Sequence, residues 1–253
     1  LKGGFAMLVD AEEIIAAIAT VKEAKTFGNV SLGNTKMPGT TFAVDAFACI
    51  TGSKLAKIKG TPCNSCYARK LQKIRPSVDQ GWKANLQKWK DSDPKMWEAS
   101  MIFQILRYNV DNYHRWFDSG DLQSVGMLES MVNIANAMPQ INFWLPTQER
   151  QIVAEFKQNG GTIPENLVVR VSASKIDAQE APNAEHSSTV SKSLKPLGKE
   201  CNAYRTDKTD KVWTKANFAS LKREEKKELN FGHCGTCRAC WNGKIKTVTY
   251  PIH

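Results

Sequence analysis

Seven cysteines are the residues of this chain whose types and spacing could do chemistry. They form an N-terminal set with the spacing C-x13-C-x2-C and a C-terminal set with the spacing C-x32-C-x2-C-x2-C. The seven are Cys49, Cys63 and Cys66, and then Cys201, Cys234, Cys237 and Cys240. Two cysteines separated by two residues can turn their sulfurs toward one metal centre. An odd number of closely spaced thiols argues against a disulfide framework and favours metal or redox chemistry.

The C-terminal triplet H-C-G-T-C-R-A-C-W is the more selective motif. Bacterial ferredoxins use C-x2-C-x2-C to bind successive irons of one cubane, so we expect a [4Fe-4S] cluster here, with one or two clusters per chain. Zinc is the alternative, because it commonly takes two separated C-x2-C pairs, and Cys63/Cys66 with Cys237/Cys240 provide them. Cys49, alone on an apolar stretch, is the thiol most easily explained as an ordinary core residue.

The net charge of +10 favours a polyanionic partner, nucleic acid above all, although no recognition motif accompanies it. No secretory leader is recognisable, and no run approaches the roughly 18 consecutive apolar residues of a membrane span. We therefore expect a cytoplasmic protein with no membrane partner. Residues 1–6 precede Met7 and are expected to be an expression remnant.

The elements that position the thiols alternate along the chain. Helices are expected at residues 10–25, 80–90, 94–106, 122–137 and 151–158, from apolar spacing and from capping residues. Strands are expected at residues 41–49, 113–117, 141–145, 167–171, 203–205 and 247–251. The charge-dense stretch 192–228, with 11 basic and 6 acidic residues, is expected to be a solvated excursion.

This alternation predicts an α/β protein with a parallel sheet and crossover helices, built as a complete or partial (β/α) barrel. Residues 1–40 form an N-terminal helix and lead-in, and residues 41–253 a single barrel-like domain with a Cys-rich C-terminal segment. Barrels place their active sites at the carboxyl ends of their strands. The candidate site residues that follow predicted strands are Ser119, Gly120, Asp121, Arg150 and Ser172.

Several motifs together resemble phage proteins of the gene product 88 family, a family with no established activity. They are C-N-S-C-Y-A-R, R-W-F-D-S-G-D-L, F-W-L-P-T-Q, V-R-V-S-A-S, H-C-G-T-C-R-A-C-W and V-T-Y-P-I-H. The resemblance covers roughly residues 41–253, and the C-terminal triplet and D-S-G-D are its most specific parts. It implies a phage-encoded protein acting in the host cytoplasm.

The chain also bears a more distant resemblance to radical S-adenosylmethionine (SAM) enzymes. These are partial (β/α) barrels with three cluster cysteines in the loop after the first strand. The resemblance implies that Cys49, Cys63 and Cys66 hold three irons of a [4Fe-4S] cluster and that SAM takes the fourth. The four C-terminal cysteines would then hold an auxiliary cluster.

The same resemblance implies SAM-binding roles for residues after later strands. The turn of Ser119, Gly120 and Asp121 would bind the SAM amino group, and Ser172 and Arg150 its ribose and carboxylate. The chain departs from the family pattern in two places. Its first cysteine gap is 13 residues rather than three, and Ser-Gly-Asp stands in place of Gly-Gly-Glu.

Three functions remain open from the sequence. The first is a radical-SAM-type enzyme. The second is a non-catalytic iron–sulfur protein whose cluster is structural or senses redox state, and which binds a host protein or nucleic acid. In that protein Cys63 and Cys66 could share one cluster with Cys237 and Cys240. The third is a zinc-stapled binding protein.

Overall fold

The computed structural model describes residues 18–33, 36–192 and 196–252. Its centre is one sheet of parallel strands in the order β1-β2-β3-β4-β5-β7-β6. The strands are β1 (Thr40–Phe42), β2 (Tyr113–Trp116), β3 (Asn142–Thr147), β4 (Leu167–Ser172), β5 (His186–Ser191), β6 (Lys199–Glu200) and β7 (Thr247–Pro251). Because all strands run in the same direction, their carboxyl ends lie along one edge of the sheet.

The α/β class and the parallel sheet are confirmed, but a closed barrel is not. In the described part of the chain β1 and β6 are the two outer strands of the sheet, and no pairing joins them. The architecture is therefore an open, seven-stranded parallel sheet.

Helices connect and cover the strands. They are α1 (Val21–Phe27), α2 (Ile50–Leu55), α3 (Tyr67–Ile74), α4 (Pro76–Asp91), α5 (Pro94–Tyr108), α6 (Val125–Ala137), α7 (Arg150–Gln158), α8 (Lys215–Ser220) and α9 (Arg223–Leu229). The expected helix at residues 10–25 lies partly outside the described residues. Its described part begins at Val21, because the Thr20 side chain caps the Glu23 amide.

One face of the sheet, which we call the outer face, carries the main core. Phe42, Trp116 and Phe143 from β1, β2 and β3 lie on it side by side. Trp97 of α5 stacks on Trp116 with ring centroids 6.0 Å apart. Burial of these large rings fixes the first three strands against α5 and α6.

The opposite, inner face is covered by the C-terminal segment that carries the cysteine triplet. Trp241 packs edge-on against Trp144 of β3, and its Nε1 donates a hydrogen bond to the His114 carbonyl of β2, at 2.9 Å. The segment around Trp241 therefore packs across β2 and β3, before the chain enters the sheet as β7.

Two predicted strands were wrong in detail. The stretch 41–49 is extended only as far as Phe42, because the Asp45 carboxylate accepts the Phe47 amide and starts a 3-10 helix, Ala46–Ala48. Residues Ala203–Arg205 also form a 3-10 helix. Conversely, β5 was not predicted, because its sequence H-S-S-T-V-S is polar.

The polar strand β5 is stable in the sheet because its hydroxyls find partners on the neighbouring strands. The Ser188 and Ser172 hydroxyls are 3.0 Å apart, and Thr189 donates to Thr249 at 2.9 Å. Buried hydroxyls paired in this way cost little to desolvate.

Candidate functional site

Cys49, Cys63 and Cys66, the N-terminal thiol group, lie in the loops that follow β1. Cys49 directly precedes α2, and Cys66 directly precedes α3. A Cβ on Gly52 would lie 3.6 Å from the Cys49 sulfur and 3.8 Å from the Cys63 sulfur. Both sulfurs therefore border one small space, which glycine at position 52 leaves open.

Two carboxylates from later strand ends lie near this group. The Asp121 carboxylate, after β2, accepts hydrogen bonds from the Thr147 hydroxyl at 2.6 Å and the Gln148 amide at 2.8 Å. The Glu149 carboxylate, after β3, accepts the amide and hydroxyl of Thr51 at 2.7 and 2.6 Å. Parallel strands thus bring residues far apart in sequence to the same edge.

Burial makes negative charge costly in this group and favours the protonated thiols. Burial raises the pKa of the Asp121 carboxyl to about 7. Burial, then Cys66 and Asp121, raises the pKa of Cys63 to about 12. Burial, then Asp121, also raises the pKa of Cys49. Deprotonating these thiols together needs a compensating positive charge, which a bound metal centre supplies.

The predicted turn of Ser119, Gly120 and Asp121 packs against Val44, in the loop that follows β1. Gly120 has φ +83°, and a Cβ there would lie 2.2 Å from Val44 Cγ2. The Ser119 carbonyl accepts the Val44 amide at 3.0 Å, and the Ser119 hydroxyl is buried with no hydrogen-bond partner among the described residues. Only glycine fits at position 120, and the turn keeps an unused polar group.

Arg150 and Ser172 also lie together at the carboxyl edge, but their polar atoms are engaged within the chain. The Arg150 guanidinium donates to the Ser174 hydroxyl at 2.7 Å and to the Ser172 carbonyl at 3.5 Å. A ligand would have to share or replace these bonds.

The four remaining cysteines, the C-terminal thiol group, line one cavity of about 350 Å³. They are Cys201, Cys234, Cys237 and Cys240. Burial, then repulsion from Cys201, raises the pKa of Cys234 to about 11. Burial also raises the pKa of Cys240 to about 12, against a hydrogen bond between its sulfur and the Tyr250 hydroxyl at 3.1 Å.

Arg170 holds the backbone of this second group in place. It is fully buried in β4, and its guanidinium donates to the carbonyls of Ala239, Cys240 and Asn242 at 2.9, 3.0 and 3.0 Å. Sequence reasoning missed this residue. The signal was present as a single charge inside the apolar strand L-V-V-R-V-S, since a buried charge must be paired or hydrogen-bonded.

Arg115 of β2 lies near the C-terminal thiol group and near Tyr67, and sequence reasoning also missed it. Its guanidinium lies 4.6 Å from the Trp144 ring centroid on the inner face and 3.3 Å from the Asp118 carboxylate. It interacts electrostatically with Cys240 on one side and with Tyr67, which follows Cys66, on the other. One partly buried cation therefore interacts with a thiol of the C-terminal group and with the tyrosine that follows the N-terminal group.

The structure thus sorts the seven free thiols into a group of three and a group of four. The couplings between thiols that raise their pKa values all fall within one group or the other. In the described part of the chain, no three His, Cys, Asp or Glu side chains already converge tightly enough to hold a metal ion. The thiols of each group lie near one another, and their side chains would have to change rotamer to bind one metal centre.

Fold and site together define an α/β protein with an open parallel sheet and two separate thiol groups. Residues 18–243 match the family described as Gene product 88, so the chain belongs to the Gene product 88 family. That description specifies no activity. No curated protein and no solved structure matches the chain. Among the described residues, no helix has the length and apolar character needed to cross a membrane.

Proposed function

We propose that this protein is an iron–sulfur protein with two centres, and that its N-terminal centre supports radical-SAM-type chemistry. The observation that carries the proposal is the placement of Cys49, Cys63 and Cys66 after β1, near the carboxylates that follow β2 and β3. Separation of the other four thiols into their own cavity supports a second centre.

In the N-terminal centre, three thiolates would hold three irons of a [4Fe-4S] cluster and leave one iron without a protein ligand. When bound, such a cluster supplies an electron to SAM. The residues of the chain would contribute by binding the amino group of SAM. The Ser119 hydroxyl, which has no partner among the described residues, and the Asp121 carboxylate belong to one turn and suit an ammonium group.

In the C-terminal centre, four thiolates would complete a cluster with no open iron. Arg115 and Arg170 lie beside Cys240 and would offset the negative charge of the loaded site. This centre would hold the C-terminal segment on the inner face, and it would serve as a structural or electron-carrying unit.

A non-catalytic protein with the same two centres is the second candidate. Its support is that Arg150 and Ser174 already hydrogen-bond each other at 2.7 Å, so that part of the edge needs no ligand to satisfy its polar groups. A zinc-stapled protein is the third, and the sulfur-rich donor sets alone suit it as well.

Iron and sulfide analysis of two double-cysteine variants distinguishes one cluster shared by both thiol groups from two separate clusters. Anaerobic reconstitution should give about eight irons and eight sulfides per chain. Cys63→Ala/Cys66→Ala and Cys237→Ala/Cys240→Ala should each retain about four of each. Loss of all iron in both variants would indicate one shared cluster. Zinc without iron in a colourless protein would refute both iron–sulfur candidates.

The catalytic part is tested with the loaded protein, SAM and a strong reductant. We expect 5′-deoxyadenosine, and a change in the electron paramagnetic resonance spectrum of the N-terminal cluster when SAM is added. The Cys237→Ala/Cys240→Ala variant, which keeps the N-terminal thiols, is the matched control and should retain the spectral change. Full iron content without SAM cleavage or spectral change would leave the non-catalytic protein as the function.

A further inference from the structure

The positive charge of this protein is concentrated in one segment. Residues 54–90, which we call the basic segment, hold ten Lys and Arg side chains and one acid, Asp79, and so carry +9 of the chain's +10. The basic residues are Lys54, Lys57, Lys59, Arg69, Lys70, Lys73, Arg75, Lys83, Lys88 and Lys90. The segment runs from α2 through α4 and contains Cys63 and Cys66.

Most of this charge is exposed and not neutralised by the protein itself. Within the described residues, Lys83 is the one basic side chain of the segment that forms an ion pair, with Asp79 at 2.8 Å. The charge-dense stretch 192–228 differs, because it mixes 11 basic residues with 6 acids. A surface with unopposed charge of one sign attracts a polyanion.

The basic segment also presents an ordered aromatic ring. Tyr67, the first residue of α3, is 59% exposed, yet its hydroxyl donates a hydrogen bond to the Asp118 carbonyl. The ring is therefore held at one end while much of its surface faces solvent. An exposed, fixed ring beside cationic side chains can stack a nucleic-acid base.

We propose that the basic segment binds single-stranded nucleic acid, with phosphates on its lysines and arginines and a base on Tyr67. A duplex would keep its bases stacked internally and could not use the Tyr67 ring. A lipid surface fits less well, because it requires a continuous exposed apolar face. The exposed large apolar residues of the segment are Ile58, Tyr67 and Ile74, and exposed lysines separate them along the chain.

This inference goes beyond the proposed function and does not need a bound cluster. It would place a nucleic-acid strand beside the N-terminal thiol group, because Tyr67 follows Cys66 directly. Since binding is measured without turnover, its failure would leave the iron–sulfur proposal untouched.

The test is a fluorescence anisotropy titration of the full chain with a labelled single-stranded DNA of about 20 nucleotides. The variant Lys70→Ala/Lys73→Ala/Arg75→Ala should bind at least about tenfold more weakly at about 50 mM salt. Its slope of log affinity against log salt should be smaller by about two, since each single-strand phosphate contact contributes about 0.7. All three side chains are exposed, so thermal melting should be unchanged.

The matched control removes three exposed charges from the C-terminal part of the chain, Lys208→Ala/Arg223→Ala/Lys227→Ala. It should bind within about twofold of the wild type. An equal loss of affinity in both triple variants would overturn the proposal, as would the absence of binding to the wild type at about 50 mM salt.

Stacking is tested separately at Tyr67. Tyr67→Ala should weaken binding by about tenfold, while Tyr67→Phe should bind nearly as the wild type does, because the ring carries the contact. Equal affinities for all three proteins, or tighter binding to duplex than to single-stranded DNA, would contradict the stacking role. Tight binding to vesicles of phosphatidylserine and phosphatidylcholine, without binding to the oligonucleotide, would replace nucleic acid with a membrane surface.

Discussion

The two thiol groups differ in ligand number, electrostatic surroundings and support. The N-terminal group has three thiols, lies near the acids Asp121 and Glu149, and sits in loops after β1. The C-terminal group has four thiols, lies near the cations Arg115 and Arg170, and packs on the inner face. The N-terminal group has one thiol fewer than the C-terminal group, and two carboxylates lie near it. The C-terminal group has positive charge beside it.

Under the proposed function, this difference corresponds to two different roles. Under the proposed function, a site with three thiol ligands and nearby carboxylates would bind an exogenous cationic group. A four-thiol site backed by guanidinium groups can carry the negative charge of a fully ligated cluster. Each prediction below acts on one side of this comparison, from the largest expected effect to the smallest.

Arg170→Met should destabilise the protein most, by about 3 to 5 kcal/mol, because it leaves several buried carbonyls of the C-terminal segment without donors. Urea unfolding of the metal-free, reduced protein measures this. Iodoacetamide labelling of Cys240 should also accelerate, with Cys63 unaffected. The exposed control Arg223→Met should stay within about 0.5 kcal/mol of the wild type. A loss below about 1 kcal/mol for Arg170→Met would show that the Arg170 hydrogen bonds do not hold the C-terminal thiol group in place.

His114 of β2 contacts both β1, which precedes the N-terminal thiol group, and Trp241, which follows Cys240. Its Nδ1 pairs with the Thr40 hydroxyl of β1 at 2.8 Å, and its carbonyl accepts Trp241. Burial lowers the pKa of His114 to about 3, so the neutral ring is the folded form. The folded pKa lies below the unfolded one, so stability is full above pH 6.5 and falls as pH drops toward 3.

Unfolding free energies of the wild type should therefore fall by up to about 1.4 kcal/mol per pH unit below pH 6.5 from this group. The variant His114→Gln lacks the imidazole and should therefore show a shallower decline. Parallel curves for the two proteins between pH 6.5 and 4 would mean that His114 does not control this pH dependence.

Thr51→Val should loosen the N-terminal group alone, by about 1 to 2 kcal/mol, because Glu149 loses the Thr51 hydroxyl at 2.6 Å. Labelling of Cys49 should accelerate while labelling of Cys240 stays unchanged. The control Thr236→Val, at an exposed position beside Cys237, should change stability by less than about 0.5 kcal/mol. Equal acceleration at both thiols would show that the two groups open together.

Tyr250→Phe should have the smallest effect and should act on the C-terminal group alone. The Tyr250 hydroxyl lowers the pKa of Cys240 against the effect of burial, so its removal should raise that pKa. Alkylation of Cys240 in the metal-free protein should slow by about threefold at fixed pH. An unchanged alkylation rate would show that the Tyr250 hydroxyl does not lower the pKa of Cys240.

Local sequence patterns were sufficient for most regular elements. Pro94 after Asp93 marked the start of α5, and the apolar runs of β3 and β4 marked those strands. Failures occurred where tertiary partners or single side chains outweighed local propensity. The polar sequence of β5 forms a strand because its hydroxyls pair with Ser172 and Thr249 on neighbouring strands. A local stretch of sequence cannot reveal these partners.

The candidate site could be predicted as a set of residues but not as an arrangement. The sequence alone identified all seven thiols and the turn of Ser119, Gly120 and Asp121. It did not identify Arg115, Arg170 or Glu149, because each acts through contacts with residues far away in the chain. Their roles depend on which strand ends and faces come together.

The sequence by itself determined the kinds of chemistry open to this protein, through thiol spacing, the +9 charge of residues 54–90 and the strand–helix alternation. Only the tertiary structure decided that the two sets of thiols lie apart, that the sheet stays open in the described residues, and that Arg115 lies near Cys240 and Tyr67. The physical reason is that spacing and charge are local properties. Parallel crossover connections, by contrast, bring residues separated by tens of positions to one edge or one face of the sheet.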